Sequence, residues 1–256
     1  MKGTSTNILF SCVAKTKFET EQVVKEHALV YIESGTLEFT LSKGKVILEP
    51  GNIALVKRNQ LAKAKKNPSE EGFEFKSISL FLEQPLLRHY ALENNIKEYG
   101  RYRGDMIQYL KPDRFIVAYF SSLRPYFDVP DKLTPSLASL KSYEAIELLI
   151  SQGFEPLLFD FNEPYKIDLE RYMLENFKFN IPLSEMARLT GRSLSTFKRD
   201  FKKKFETTPQ RWLTAKRLEE AYYLITKKHM RPSDIYYDLG FENFSHFSKV
   251  YNEAYR

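Results

Sequence analysis

Cysteine is almost absent from this sequence of 256 residues, since Cys12 is the only one. A single cysteine excludes an intrachain disulfide and a zinc site built on cysteines. No apolar run approaches the length of about 18 residues that a membrane span needs, and the N-terminus lacks the basic-then-apolar layout of a signal peptide. We therefore expect a cytoplasmic protein, with no membrane partner.

Net charge is concentrated in one part of the chain. From Lys166 onward there are 18 Lys and Arg against 12 Asp and Glu, whereas the first 165 residues hold 21 of each kind. The net charge of +6 therefore belongs to the last third of the sequence. A basic module joined to a neutral one indicates that only the basic module meets a polyanion.

Short strands separated by turns fill residues 28–82. Ser34-Gly35 lies between two strand-like runs and predicts a two-residue hairpin, and residues 42–44 and 50–52 predict further turns. Strands this short and close are typical of a small β-barrel or sandwich. Residues 27–60 resemble the cupin-like effector domains of bacterial regulators, in which the hairpin and the Pro-Gly turn recur in the same order.

Histidine is too scarce for a catalytic cupin. Such enzymes hold a divalent ion with several imidazoles and a carboxylate, but His27 stands alone among the strands and His89 lies beyond them. A lone histidine is more often a core or surface group than a metal ligand. We predict no catalytic residue, no metal, no cofactor and no enzymatic activity.

A basic run lies within the strand region and has two interpretations. It is either a solvated surface, which we favour, or a recognition site for an acidic ligand or protein. Its members are Lys57, Arg58, Lys63, Lys65 and Lys66.

Helical spacing of apolar residues begins after residue 82 and predicts helices over 84–95, 113–127 and 135–152. The apolar positions of the second and third helices are Phe115, Ile116, Tyr119, Phe120, Leu123, Leu137, Leu140, Ile146, Leu149 and Ile150. In families of this layout the helices after the barrel commonly form a homodimer interface, and the alternative is that they only cover the barrel. Pro164 lies in the linker that follows.

The predicted helix of residues 194–205 has two incompatible faces. At about 100° per residue, Leu194, Phe197, Phe201 and Phe205 form one apolar stripe, and cations and hydroxyls occupy the opposite side. Such a face suits a DNA major groove, because Arg and Lys bind phosphates or guanine edges while Ser and Thr adapt to either. Taken alone, the pattern fits an amphipathic surface helix equally well.

An internal repeat decides between these interpretations. Residues 183–201 match residues 233–251 at an offset of 49 up to the turn glycines Gly191 and Gly240, and at an offset of 50 beyond them. Ser193 and Asn243 then occupy equivalent N-cap positions. Two copies of helix, glycine-containing turn and helix indicate two helix-turn-helix units.

A longer helix is predicted between the two copies, over residues 208–227, with Thr208 as N-cap and Pro209 at the first helical position. A helix of that length extends about 30 Å. Successive major-groove faces on one side of DNA are roughly 34 Å apart. The helix can therefore hold two recognition helices one turn of DNA apart.

Residues 167–255 resemble the AraC/XylS family of bacterial transcription regulators. The matching positions are Ala187, Gly191, Ser193, Phe197, Arg199, Phe201, Lys202, Pro209, Trp212, Arg217, Leu218, Ala221, Ile235, Gly240, Phe241, Ser245, Phe247 and Lys249. The resemblance implies an α+β protein of two domains: a cupin-like sensor or dimerisation domain at 1–160, a linker at 161–166 and an all-α DNA-binding domain at 167–256.

The sequence departs from the family at three positions. Glu206 stands where the family has Gly, so we expect the first recognition helix to end differently. Tyr236 replaces the small residue that the first unit keeps as Ala187, which requires a modified packing. The sequence stops at Arg256, where the family continues with a closing helix, so either it is truncated or the second unit is the less stable one.

DNA contacts are assigned to the front faces of the two recognition helices. For the first, they are Ser195, Thr196 and Arg199 on bases, Arg192, Lys198, Lys202 and Lys203 on phosphates, and the N-cap Ser193 beside them. For the second, they are Asn243, Ser245, His246, Lys249 and Asn252. The second face has fewer cations, so the first unit is expected to dominate affinity. The aromatic residues could stack on bases, but their helical spacing favours core packing.

These features predict a cytoplasmic, nucleoid-associated regulator that binds specific double-stranded DNA. The resemblance favours an activator, which would also contact RNA polymerase, while a small-molecule effector or a regulatory protein at the first domain stays unidentified. Two alternatives remain: a cupin enzyme with an appended DNA module, which lacks its histidine cluster, and an RNA-binding or architectural protein, which would show weak sequence selectivity.

Overall fold

The computed structural model describes residues 7–19, 22–162 and 164–255. The chain divides into two compact units: Met1–Leu41 with Lys45–Glu163, and Ser42–Gly44 with Pro164–Arg256. We call them the N-terminal and the C-terminal unit. Position 163 of the predicted linker and position 256 of the predicted DNA-binding domain lie outside the described residues.

Strands form most of residues 8–82 of the N-terminal unit. They are β1 Ile8–Val13, β2 Lys17–Phe18, β3 Val23–Val24, β4 His27–Ser34, β5 Thr36–Leu41, β6 Gly44–Leu48, β7 Ile53–Val56, β8 Gln60–Leu61, β9 Lys63–Asn67, β10 Phe75–Leu82 and β11 Ile107–Tyr109. They build a five-stranded sheet in the order β1-β10-β4-β7-β11, a four-stranded sheet in the order β2-β9-β5-β6, and the short pair β3-β8.

The central strands of the five-stranded sheet are buried on both faces. Alternate residues of β4 and β7, such as Val30 and Val56, join one core with Leu37 and Phe39 of the four-stranded sheet. The residues between them, such as Leu55, join a second core with the helices. This double burial explains why β7 is apolar at every position rather than alternating.

The hairpin predicted at Ser34-Gly35 is wrong. β4 and β5 belong to different sheets, so this turn carries the chain from one sheet to the other. Gly35 has a φ of 71°, and a Cβ there would lie 3.0 Å from the Cα of Phe75. The short apolar runs predicted the strands correctly, but the sequence pattern does not determine which strands pair.

Helices of the N-terminal unit follow the predicted spans closely. They are α1 Gln84–Glu93, α2 Arg114–Leu123, α3 Pro125–Asp128, α4 Pro135–Ser151 and α5 Glu155–Leu158, with a 3-10 turn at Pro130–Lys132. The span predicted as one helix over 113–127 is divided between α2 and α3 at Arg124, next to Pro125. Not every apolar position of these helices is buried, since Phe115 is 56% exposed and Leu140 is 64% exposed.

The C-terminal unit is helical. Its elements are α6 Leu169–Asn176, α7 Leu183–Leu189, α8 Leu194–Phe205, α9 Pro209–Lys228, α10 Pro232–Ile235 and α11 Phe244–Tyr255. Thr208 caps α9 by accepting a hydrogen bond from the Arg211 N–H, as its sequence position predicts. The predicted fold class is confirmed: a sheet-rich unit with following helices precedes an all-α unit. None of the described helices is long and apolar enough to cross a membrane.

Candidate nucleic-acid interface

The turn between α7 and α8 is fixed by Gly191. Its φ is 66°, a left-handed conformation that glycine adopts without steric cost. A Cβ at this position would lie 2.6 Å from the backbone nitrogen of Lys166. The chain can therefore turn sharply here and pack against the segment that precedes α6 only because a side chain is missing.

α8 begins at Ser193 and is held by its apolar side. The Ser193 hydroxyl accepts a hydrogen bond from the Thr196 N–H at 3.2 Å, which caps the helix. Phe197 and Phe201 are fully buried, and the Phe201 and Phe205 rings lie 5.9 Å and 5.1 Å from the Trp212 ring of α9. This packing fixes the rotation of α8 and so fixes which of its residues face outward.

The outward side of α8 carries the predicted contacts. Ser195, Arg199 and Lys202 are exposed and spaced by four and three residues, which places them on one face. The Arg199 side chain is 76% exposed and lies 3.8 Å from Asp200, so its guanidinium can leave this loose pair. Lys198 and Lys203 are exposed beside this face, and Thr196 is half-buried.

Arg192 has a structural environment, which corrects its assignment to phosphate contacts. Its side chain is only 8% exposed and pairs with Asp200 at 3.1 Å. Its guanidinium also donates hydrogen bonds to the carbonyl oxygens of Ile167 and Thr190, at 3.0 and 2.7 Å. A guanidinium with these acceptors joins the turn to the start of the unit, so DNA binding would have to break that arrangement.

Arg217 of α9 anchors the turn of the second helix-turn-helix unit. Its guanidinium donates hydrogen bonds to the carbonyl oxygens of Phe177, Phe179 and Gly240, at 2.8 to 2.9 Å. Burial lowers the pKa of Arg217 to about 10, so it stays charged at neutral pH. Gly240, like Gly191, has a positive φ, and a Cβ there would lie 2.7 Å from a backbone oxygen. Arg217 was among the positions that resemble the AraC/XylS family, but the sequence did not predict its hydrogen bonds to these carbonyl oxygens.

α11 repeats the cap and the outward face of α8 with fewer charges. Asn243 accepts a hydrogen bond from the His246 N–H at 2.8 Å, as Ser193 does for α8. Ser245, His246 and Lys249 are exposed, and Asn252 is half-buried. The helix holds one Lys and no Arg, whereas α8 holds five cations: Lys198, Arg199, Lys202, Lys203 and Lys204.

The two copies differ in the helix before the turn. α7 has seven residues and buries Ala187 to 1% exposure, while α10 has four and ends before Tyr236. The Tyr236 ring lies half-buried against the Phe244 ring, at 5.7 Å between centroids. The modified packing expected at Tyr236 is therefore present, because its ring lies after the last turn of a shortened helix.

α8 ends in the way expected of a helix followed by glycine, although Glu206 follows it. Glu206 adopts the left-handed conformation, with φ 56° and ψ 13°, and its N–H donates to the Lys202 carbonyl. The helix thus ends in the cap that glycine usually forms, and the prediction of a different ending is wrong.

The phenylalanines on the inner sides of α8 and α11 belong to the core of the unit. Phe197, Phe201 and Phe247 are buried to 1% exposure or less, which supports the core interpretation over base stacking. Phe244 is exposed to 42%, and the tyrosines at 38% exposure or more are Tyr222, Tyr223, Tyr237 and Tyr255. Among the described residues, no group of three or more His, Cys, Asp or Glu side chains is placed to hold a metal ion.

Comparison with known families agrees with this geometry. Residues 27–161, more than half of the chain, match the ExsA N-terminal regulatory domain, and residues 186–256 match the helix-turn-helix domain of AraC-type regulators. The chain belongs to the AraC/XylS family. Its members are DNA-binding transcription regulators and not enzymes.

Curated relatives of this AraC/XylS member are transcription regulators. The HTH-type transcriptional regulator ExsA of Pseudomonas aeruginosa is 28% identical over 47% of this chain and 45% of its own length. The virulence regulon transcriptional activator VirF of Yersinia enterocolitica is 31% identical over 34% of this chain and 32% of its own. The chain thus spans a third to a half of these relatives.

Solved structures also align with the chain at low identity. Apo ToxT from Vibrio cholerae is 11% identical, covers 98% of this chain and 94% of its own, and has a TM-score of 0.46. The AraC-like transcriptional activator CuxR is 13% identical over 85% of this chain and 78% of its own, with a TM-score of 0.40.

Proposed function

We propose that this protein binds specific sites in double-stranded DNA and regulates transcription from them. The observation that carries the proposal is the outward face of α8, where exposed cations and hydroxyls lie opposite fully buried phenylalanines, and its second copy on α11. Each recognition helix would enter a major groove, and the 20 residues of α9 would separate the two by about one turn of DNA.

Within this proposal, Ser195, Thr196 and Arg199 contact bases, and Lys198, Lys202 and Lys203 contact phosphates. Arg192 is withdrawn because its guanidinium is committed within the unit. Ser193 and Asn243 act mainly as helix caps whose hydroxyl or amide lies close to the groove. The second helix contributes Ser245, His246, Lys249 and Asn252.

Regulation is proposed to act through the first domain, residues 1–160, which the linker 161–166 joins to the DNA-binding domain 167–256. VirF is described as an activator, which supports activation and a contact with RNA polymerase here. Binding chromosomal DNA requires a location in the bacterial cytoplasm, at the nucleoid.

A homodimer through the helices of the N-terminal unit is also proposed. α2 packs against α4, and each leaves an apolar side chain in solvent, Phe115 at 56% and Leu140 at 64% exposure. Covering such side chains is a common role of an interface. Light scattering should give a dimer for the wild type and a smaller mass for Leu140→Glu; a monomer at micromolar concentration would oppose the proposal.

Substituting one cation on each recognition helix tests the DNA contacts. We expect Arg199→Ala to weaken binding to the specific site by about 1–3 kcal/mol, because the variant has no guanidinium for the base edge. Lys249→Ala should cost less, since α11 carries one Lys and no Arg. Fluorescence anisotropy with labelled duplexes measures both effects.

Lys227→Ala is the matched control, because Lys227 is an exposed cation on α9 and belongs to neither recognition helix. Its effect should stay within a few tenths of a kcal/mol at moderate salt. A larger effect for Lys249→Ala than for Arg199→Ala would overturn the ranking of the two units. Equal effects for all three variants would mean that only the net charge matters.

A further inference from the structure

Two loops of the N-terminal unit meet because β7 and β11 are antiparallel neighbours. Val56, at the end of β7, pairs with Ile107, at the start of β11. The residues that follow β7 and the residues that precede β11 therefore lie at the same end of the sheet. The N–H of Lys57 donates a hydrogen bond to the carbonyl oxygen of Met106 at 2.7 Å, which extends the pairing into these loops.

A cavity of about 480 Å³ opens between the two loops. Its lining includes Lys57, Gln60, Arg101, Tyr102, Arg103 and Gly104, and we call it the cationic cavity. Three of these side chains are cations, and the described lining residues include no carboxylate. Its volume falls within the roughly 300–1,000 Å³ of small-molecule sites.

Buried contacts hold the loop of Arg101 and Arg103 in place. The N–H of Tyr102, between the two arginines, donates to the Oδ2 atom of Asp160 at 3.0 Å. Asp160 is 1% exposed, and its carbonyl oxygen accepts a hydrogen bond from the Arg58 guanidinium at 3.1 Å. The backbone that presents the two guanidinium groups is therefore anchored to the core.

Close packing shapes the wall of the cationic cavity. A Cβ at Gly104 would overlap the Tyr102 hydroxyl, so the aromatic ring lies directly against this backbone. A side chain at position 104 would displace the Tyr102 ring.

The charges in the cationic cavity favour an anion. Lys57 is only 4% exposed, and a buried ammonium interacts with an anion more strongly than a solvated one does. Arg101 and Arg103 are exposed at the mouth, where planar guanidinium groups can bind carboxylate or phosphate oxygens in pairs. A cleft lined by one sign of charge also concentrates ligands of the opposite sign.

We propose that the cationic cavity binds a small polyanion that carries carboxylate or phosphate groups. The size of the cavity favours such a molecule over an acidic protein surface, which would cover a wide area of the unit. The proposed binding of a polyanion is argued from the geometry of the cavity alone. The use of that polyanion as a regulatory signal rests on the proposed function in transcription.

Calorimetric titration of the full chain with citrate and, separately, with pyrophosphate tests the proposal and distinguishes the two kinds of anionic group. The test variant is Arg101→Gln with Arg103→Gln. Its matched control is Lys227→Gln with Lys228→Gln, which removes the same charge from the exposed end of α9. We expect at least one probe to bind the wild type with a Kd below about 0.1 mM, at least tenfold more weakly to the test variant, and unchanged to the control.

Equal weakening in both double variants would overturn the proposal, because the probe would then respond to net charge. The proposal would also be overturned if neither probe bound at concentrations of about 1 mM. DNA binding by the same variants keeps the two hypotheses separate. A chain that binds a specific DNA site but neither probe contradicts the cavity alone, and a chain that binds a probe but no specific DNA contradicts the proposed function alone.

Discussion

Two helices of the C-terminal unit, α8 and α9, end at residues other than glycine that adopt the left-handed backbone conformation. Glu206 follows α8 with φ 56°, and His229 follows α9 with φ 53°. For residues with a Cβ this conformation costs roughly 1 kcal/mol, which tertiary packing has to offset. These positions therefore hold local strain at the ends of the helices that position the DNA face.

Replacing Glu206 by glycine should stabilise the C-terminal unit by about 0.5–1 kcal/mol, because glycine adopts this conformation without the Cβ clash. Trp212 packs on Phe205 beside this position, so tryptophan fluorescence during urea unfolding measures the change. The control Glu219→Gly, within α9, should destabilise by about 1 kcal/mol. Reduced stability in both variants would show that the cap at Glu206 is not strained.

His27 is one of the buried titratable groups of the strand region. It is 1% exposed, and its Nδ1 accepts a hydrogen bond from the Arg58 N–H. Burial, together with the positive charges of Arg58 and Lys57, holds the pKa of His27 well below its ordinary value of 6.5. The folded protein keeps this imidazole neutral, whereas the unfolded chain protonates it near its ordinary pKa.

The stability that His27 contributes is therefore fully present above about pH 6.5 and is lost as the pH falls. We expect the free energy of unfolding to decrease by up to about 1.4 kcal/mol per pH unit below that value. His27→Asn, which keeps an acceptor for the Arg58 N–H, should reduce this dependence, and His89→Gln should not. Melting temperatures between pH 5 and 8 measure it; identical pH profiles for wild type and His27→Asn would contradict the assignment.

Sequence periodicity predicted the roles of Phe197 and Phe201, since the apolar stripe of a helix is a local property. It could not separate Arg192 from Arg199, because the acceptor at Ile167 lies 25 residues away. Arg101 and Arg103 were missed for the same reason. They lie near Lys57 because the short strand β11 pairs with β7. A strand of three residues is too short to show a periodic pattern in the sequence.

α8 and α11 share one design and differ in charge. Both begin with a capping residue after a glycine turn, and both place a buried phenylalanine beneath an outward polar face. The offset between the two copies predicted this correspondence correctly. It did not predict that α10 would be reduced to four residues and would end before Tyr236.

The difference in charge predicts an unequal salt dependence. Removing one cation that binds a DNA phosphate should lower the slope of log K against log salt by about 0.9. We expect Lys202→Gln with Lys203→Gln to reduce the slope by about 1.8, and Lys249→Gln to reduce it by at most about 0.9. Binding measured at several salt concentrations provides both slopes. Equal reductions of the slope in the two variants would mean that Lys202 and Lys203 do not both contact phosphates.

The two parts of the chain differ in net charge. The neutral first part forms the sheet-rich unit with its cationic cavity, and the basic last third forms the helical unit with the DNA face. The two-part organisation was visible in the sequence because the composition changes between the parts. The pairing of strands was not, because β4 and β5 are adjacent in sequence but lie in different sheets.

We propose that the two recognition helices of one chain bind one specific DNA site. Selection from a random duplex library, followed by hydroxyl-radical footprinting of the full chain on the selected site, tests it directly. We predict two protected patches on one side of the DNA, about 10 base pairs apart, and a preference of at least about 10³ over random DNA. A single patch, or binding that does not distinguish the selected site from random DNA, would contradict the claim.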